Sequence, residues 1–324
     1  MNIIKPSHEI MLPESPYKHI ERIGRICYRS EDAITETSAG PFVGRLFKSG
    51  HHAMIEHFRF IIEVDNISYN ILRMNNYNKY MTFTYDNGRS IISVSARGLH
   101  DMYNMASKDG VHNIMNIIED MVHLIIGEYK CPTMFYEDFM RTYSENEGFN
   151  YRIIKDFSEL SENEYKMHAW YTIRFVCDRG VTHEMVRHRD ASFAQESTRY
   201  CNYSKGKYRS SITVIDPFFF DKDEKRIDVE GSDFKVNKYD VWKTCMDNLE
   251  QAYMILIKLG ATPQEARSIL PNSLKTEIVI TAQVYEWIHI FNLRVLGTTG
   301  APHPQIKEVM EPAYNEMIEN GYLR

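Results

Sequence analysis

Apolar and polar positions along this chain follow two rhythms, one of period near 3.6 and one nearly continuous over short runs. Helical spacing is clearest at 112–128, where Ile114, Ile117, Ile118, Met121 and Ile125 recur three and four residues apart as a core stripe. A longer helix is predicted over 235–259, apolar at Val241, Met246, Leu249, Tyr253 and Leu256 and closed by Gly260. Ser15-Pro16 reads as the N-cap and first turn of a helix through about Tyr28, and Pro41 as the opening of another that ends near Gly50. Thr262-Pro263-Gln264-Glu265 is a capping box with proline in the first turn, and Pro304 opens a last amphipathic helix through about Glu319. Runs rich in β-branched and aromatic residues predict strands: FRFIIEV from 58, HAWYTIRFVC over 168–177 and TEIVITAQV over 276–284, the last followed by a helix over 285–294. Asn87-Gly88 before SIISVS is a hairpin signal.

Composition adds limits. With 324 residues, 43% hydrophobic and 25% charged, the chain is long enough for one large domain or two small ones of ordinary soluble type. A net charge of -6 argues against nucleic-acid binding driven by overall charge, so an anionic substrate needs a local cationic cluster. The cysteines at 27, 131, 177, 201 and 245 lack Cys-x-x-Cys spacing, which disfavours a disulfide framework or zinc knuckle and suits a reducing cytoplasm. The N-terminal residues contain no apolar core of a signal peptide, and no stretch reaches the ~20 apolar residues of a membrane span.

The cationic cluster is at 187–200: Arg-His-Arg-Asp-Ala-Ser-Phe-Ala-Gln-Glu-Ser-Thr-Arg-Tyr. Guanidinium groups match phosphate and carboxylate oxygens bidentately at any working pH, and serine hydroxyls donate or accept beside them. Asp178-Arg179-Gly180 is read as a turn and Thr182 as the N-cap of a short helix holding Glu184, Arg187 and His188 on one face. Ser197 has no His-Asp pair spaced to activate it, so a binding role is expected. No metal pattern is complete. His183 and His188 are five residues apart, about 140° around a helix, and the segment 50–60 (GHHAMIEHFRF) has neither His-Glu-x-x-His nor His-x-x-Glu-His.

The pattern Arg187, His188, Arg189, Ser192, Ser197, Arg199, followed by Tyr200, resembles the signature of flavin-dependent thymidylate synthases. That resemblance implies an α+β fold, a β-sheet packed by helices, in one catalytic domain over 1–324. It implies reductive methylation of dUMP to dTMP, with methylenetetrahydrofolate as carbon donor and FAD, reduced by NADPH, as hydride carrier. The reduced flavin then delivers hydride directly, and no cysteine nucleophile is needed. Three further elements follow in the family's order: Gly50-His51 with Glu56-His57, Glu265-Ala266-Arg267 with Leu270-Pro271, and 285–294 ending in Leu293-Arg294. A C-terminal element after Pro304 matches only loosely.

By this resemblance FAD is held by His51, Arg187, His188, Arg189, Gln195, Gln283, Val284, Tyr285 and His289. The nucleotide is held by Glu184, Met185, Val186, Arg187, Gln195, Glu196, Ser197, Thr198, Arg199, Arg267 and Arg294. Arg294 is the catalytic candidate at the uracil edge, where its charge stabilises negative charge developing on the ring. His51 has a plainer alternative as a partly buried structural histidine. Glu184 stands where the family more often carries Gln, and a carboxylate cannot donate to a carbonyl unless protonated. A cytoplasmic homotetramer with active sites between subunits is expected, without membrane or nucleic-acid partners.

Residues at about 66–165 separate two family elements more widely than usual and read as an insertion, with no chemistry legible in it. Two other readings stand beside the synthase: a flavoprotein of the same fold with altered substrate, and an RNA-binding module that grips phosphates through the arginine cluster.

Overall fold

The computed structural model describes residues 1–76, 78–129, 151–206, 211–231 and 233–324. Cys131 and residues 130–150 of the stretch read as an insertion lie outside these. The main sheet has the order β2-β7-β10-β8 and is antiparallel throughout, built from β2 (Ser7–Ile10), β7 (Trp170–Asp178), β8 (Ser192–Gln195) and β10 (Lys275–Gln283). Its centre is buried on both faces, which is why β7 and β10 read as continuous apolar runs instead of alternating ones. Ile278 pairs with Phe175 on one side and with Gln195 on the other, so the second half of the arginine-rich stretch is locked in register beside the core.

A second antiparallel sheet has the order β4-β5-β3-β6, from β3 (Arg59–Val64), β4 (Met81–Asp86), β5 (Arg89–Ser95) and β6 (Arg152–Ile153). Asn87 and Gly88, both at positive φ (48° and 81°), make the predicted two-residue turn between β4 and β5. Helices α3 (Asn66–Met74), α4 (Ala96–Asp109) and α5 (His112–Tyr129) cover this sheet. The predicted stripe on α5 is buried throughout. Hydrogen bonds tie this sheet to the start of β7: the Trp170 indole donates to the Arg59 carbonyl at 3.0 Å, and His168 bonds Ser93 Oγ at 3.0 Å and Thr84 Oγ1 at 2.7 Å. One hydrophobic core runs through both sheets, joining Ile61, Ile92 and Ile118 to Phe175, Ile280 and Trp287.

Helices α1 (Pro16–Tyr28), α2 (Ala39–Lys48), α6 (Glu162–His168), α10 (Val284–Arg294) and α11 (Pro304–Glu319) pack on this core. A smaller core of Cys201, Tyr203, Val214, Trp242, Tyr253 and Leu274 lies under the long α8 (Lys238–Lys258), beside the short parallel pair β1 (Asn2–Ile4) and β9 (Thr213–Ile215). The α9 turn (Pro263–Ala266) carries the predicted capping box between Thr262 and Glu265.

Three expectations are corrected. The short helix α7 (Arg179–Met185) begins where a turn was read, because Asp178 caps it by accepting from the Val181 amide at 2.7 Å; Thr182 instead donates to the Arg179 carbonyl. Arg187 and His188 therefore follow the helix and do not share its face. Helix α2 starts at Ala39, two residues before Pro41, which sits within the first turn where no amide bond is lost. Val241 is half exposed: it sits on the outward side of α8, while Trp242, Met246 and Tyr253 face inward.

Candidate functional site

Where α7 stops, Met185 is fully buried, and the turn that leads to β8 leaves Val186, Arg187 and Arg189 exposed while His188 is buried. Arg187 makes a 3.3 Å bond from Nε to the His183 carbonyl, and the Arg189 carbonyl accepts from Lys79 at 2.6 Å. His188 turns inward and meets α10. Arg294 Nε donates to His188 Nε2 at 3.1 Å, Arg294 Nη1 bonds Glu184 Oε2 at 2.9 Å, and Nη2 reaches the Glu184 carbonyl at 3.3 Å. The exposed His289 sits edge-on to His188, ring centroids 5.7 Å apart. Glu184, His188, His289 and Arg294 thus form one cluster from two helix ends.

A second cluster lines a cleft of about 420 Å³, bordered by Tyr28, His51, Arg97, Ser197, Arg199 and Tyr200. His51 Nδ1 lies 2.7 Å from the Tyr28 hydroxyl, and the two rings stack at 6.2 Å. Tyr200 meets Tyr28 edge-on at 6.4 Å. Burial raises the Tyr28 phenol above its ordinary range, with Cys27 and Tyr200 adding to it, so Tyr28 stays a neutral hydroxyl beside His51. The backbone brings Ser197 here by bonding its amide to the Cys27 carbonyl at 3.2 Å, at the end of α1.

Other predicted residues are committed elsewhere. The Gln283 amide is buried and donates to Thr82 Oγ1 (2.9 Å), Ser93 Oγ (3.0 Å) and the Met167 carbonyl (2.6 Å); Val284 and Met185 are sealed in the core. The Gln283 side chain thus joins the two sheets. Glu196 is buried in an ionic network, 3.0 Å from Lys275 Nζ and 3.5 Å from Arg29 Nε, so its carboxylate faces inward as well. Gln195 spends its amide on Thr182 Oγ1 at 3.0 Å, and Thr198 is buried. Arg267 is exposed on the turn after α9, packed beside α8, and is not among the residues that line the His51 cleft.

Three residues were not legible beforehand. Tyr28 ends a helix whose amphipathic pattern only marks its buried face. Arg97 comes from the inserted segment and bonds Glu56 Oε1 at 2.5 Å while lining the cleft. Arg59 is buried at the start of β3, its Nη1 without a hydrogen-bond partner among the described residues. Burial lowers its pKa, partly offset by Tyr285, Glu56 and Asp190; Tyr285 is raised in turn by burial and Asp190. An arginine inside an apolar strand pattern was the available signal for it.

The donor set suits a flavin nucleotide. Exposed guanidinium groups of Arg187 and Arg189 match phosphates, Ser197 and Arg199 supply further anion contacts, and stacked Tyr28 and His51 offer a face to a planar ring. The cleft volume lies within the ~300–1,000 Å³ usual for small-molecule sites.

Residues 116–320 match the family model of thymidylate synthase complementing proteins. The chain is 30% identical over 186 residues to a flavin-dependent thymidylate synthase of Pyrococcus furiosus, covering 52% of this chain and 69% of that protein. It is 31% identical over 158 residues to the enzyme of that name from Pyrococcus abyssi, covering 48% and 58% respectively. It is also similar to the solved structure of a UMP/dUMP methylase, PolB from Streptomyces cacaoi bound with 5-Br dUMP, at 20% identity and a TM-score of 0.36 over 46% of this chain and 66% of that one. The chain thus spans between about half and about two thirds of these relatives' lengths.

Proposed function

We propose that this chain, which belongs to the thymidylate synthase complementing protein family, is a flavin-dependent thymidylate synthase that methylates dUMP to dTMP. The observation that carries this reading is the single cleft in which His51 meets Ser197, Arg199 and Tyr200, residues far apart in sequence. Bound FAD, reduced by NADPH, would supply hydride, with methylenetetrahydrofolate supplying the carbon. His51, supported by Tyr28, and the exposed Arg187 and Arg189 hold the flavin nucleotide, and Ser197 and Arg199 hold the dUMP phosphate. Arg294 is fixed in direction by Glu184 and His188, and its charge stabilises the uracil as negative charge develops there. Arg267 serves the nucleotide through a neighbouring subunit.

Arg187, Arg189, His289 and Arg267 are all exposed, which leaves them open to a neighbouring chain and supports that last assignment. A homotetramer in which facing chains complete each site fits this arrangement. We place the enzyme in the cytoplasm: Cys27, Cys177, Cys201 and Cys245 are free thiols, and no described helix is long and apolar enough to cross a membrane.

The Glu184–Arg294 ion pair favours one second reading, a flavoprotein of this fold with altered substrate, because the carboxylate accepts where an amide would also donate. Purification and assay separate the two. The synthase should take up FAD, lose its flavin absorbance on adding NADPH, and release tritium from 5-tritiated dUMP. FAD uptake without tritium release selects the altered-substrate reading. A protein that shows no FAD binding by fluorescence quenching overturns both. Light scattering should give four chains per particle, and full activity in a monomer rejects the shared site.

A further inference from the structure

We propose that His52, His100 and Asp101 bind one borderline divalent transition-metal ion of the zinc class, which clamps the inserted segment onto the His51 loop. One potential ligand atom from each of the three lies within 4.8 Å of the other two. His52 belongs to the loop before β3, whereas His100 and Asp101 lie in the second turn of α4, so neither segment shows the site by its own spacing. The imidazole rings stand edge-on with centroids 4.5 Å apart, and Phe47 packs against both. Asp101 Oδ1 lies 3.2 Å from His100 Nδ1. Zinc bonds of about 2.0–2.2 Å to nitrogen and oxygen put neighbouring ligand atoms of a tetrahedron roughly 3.3–3.5 Å apart, so this edge is close to the required length.

The surroundings suit ligation. A hydrogen bond from the His52 ring to the Phe47 backbone helps to orient the imidazole, as outer-shell bonds do for metal-bound histidines. Arg97 Nε bonds the second Asp101 oxygen at 3.2 Å and holds the carboxylate in place, while its remaining charge is spent on Glu56. Two imidazoles and one carboxylate leave at least one position for water, and this donor set selects zinc, nickel or cobalt over magnesium. Since His52 adjoins His51, the ion would tie α4 to the cleft wall. The proposal stands apart from the flavin reading, because no part of it uses FAD.

The test uses the full-length chain stripped with chelator and titrated with Co²⁺, followed by visible absorption, with Zn²⁺ as competitor. One ion per chain is expected, displaced by Zn²⁺ and unaffected by Mg²⁺. His52→Ala and His100→Ala should each weaken Zn²⁺ binding at least tenfold, and X-ray absorption of the zinc-loaded protein should show imidazole scattering. If circular dichroism shows either alanine variant unfolded, Asp101→Asn, nearly equal in shape, takes its place with the same expected weakening. Absence of saturable binding, binding that survives in the folded variants, or a spectrum without imidazole overturns the proposal.

Discussion

Arg294 donates from Nε to His188 Nε2 across 3.1 Å, so His188 carries no proton on that nitrogen. Its remaining ring proton sits on Nδ1, which faces Glu286 Oε1 at 3.7 Å. The signature histidine and the catalytic candidate are thus one unit, with Glu184 holding the other edge of the guanidinium. Arg294→Ala should keep near-normal FAD content and lower tritium release from labelled dUMP by about 10²–10³-fold, the usual loss for one electrostatic donor. Arg294→Lys keeps the charge opposite Glu184 but not the fork, so it should recover melting temperature and little turnover. Normal turnover per folded molecule in the alanine variant would remove Arg294 from the site.

Tyr28 supports His51 by a 2.7 Å hydrogen bond. Tyr28→Phe keeps the stacked ring and removes only that bond, a loss of about 1 kcal/mol, or roughly fivefold in affinity. Fluorescence titration should show weaker FAD binding with an unchanged melting temperature. Unaltered affinity would make His51 independent of Tyr28.

Three histidines are buried in uncharged form. Burial lowers His19 to about 3, with His57 and Arg22 adding to it; burial lowers His57 to about 4; burial, then Arg59, lowers His168 to about 3. Each folded value lies below the unfolded one of about 6.5, so the unfolded chain binds protons first as pH falls. Their stabilisation is complete above pH ~6.5 and is lost as pH falls toward ~3–4, at up to about 1.4 kcal/mol per pH unit for each group. Denaturant midpoints should therefore fall steeply between pH 6.5 and 4.5. A flat profile there would show these rings charged in the native protein.

Glu277 sits near the start of β10 with Lys275, Arg29 and Arg174 around it, the last through a 2.8 Å bond from Nε. Burial raises this carboxyl, but Lys275, Arg29 and Arg174 more than offset it and hold it below the ordinary range. Glu277→Gln leaves three cations facing no carboxylate at that point. Breaking such a buried network costs about 3–5 kcal/mol, read from urea unfolding. A change under ~1 kcal/mol would show that Glu9, Glu31 and Glu196 alone neutralise the arginines and lysine.

Helix α4 passes close to the hairpin at Gly98, where a Cβ would lie 2.8 Å from Val94 Cγ2 and 3.0 Å from the Tyr80 carbonyl. Gly98→Ala should cost about 1–3 kcal/mol of stability by overpacking. Thermal unfolding checks it, and a melting temperature equal to the parent's would mean the hairpin yields without cost.

The sequence by itself determined the elements whose signals are local. Hydrophobic spacing marked α5, the capping box marked α9, and Asn87-Gly88 marked the hairpin, because each depends on neighbours within a few residues. A resemblance of motif also singled out Ser197, Arg199 and His51 as candidates, and the fold brings all three to one cleft. Where local signals compete, the folded chain decides: Asp178 and Thr182 are both suitable caps, and it is Asp178 that accepts from the Val181 amide. The tertiary structure alone decided which polar side chains remain for ligands. Gln283 and Glu196 were chemically suitable, yet packing of the two sheets and the cations around Glu277 took them inward. It alone brought Arg97 from the inserted segment to the cleft and set His52 beside His100. Contacts between distant segments depend on strand order and helix docking, and no spacing along the chain encodes those.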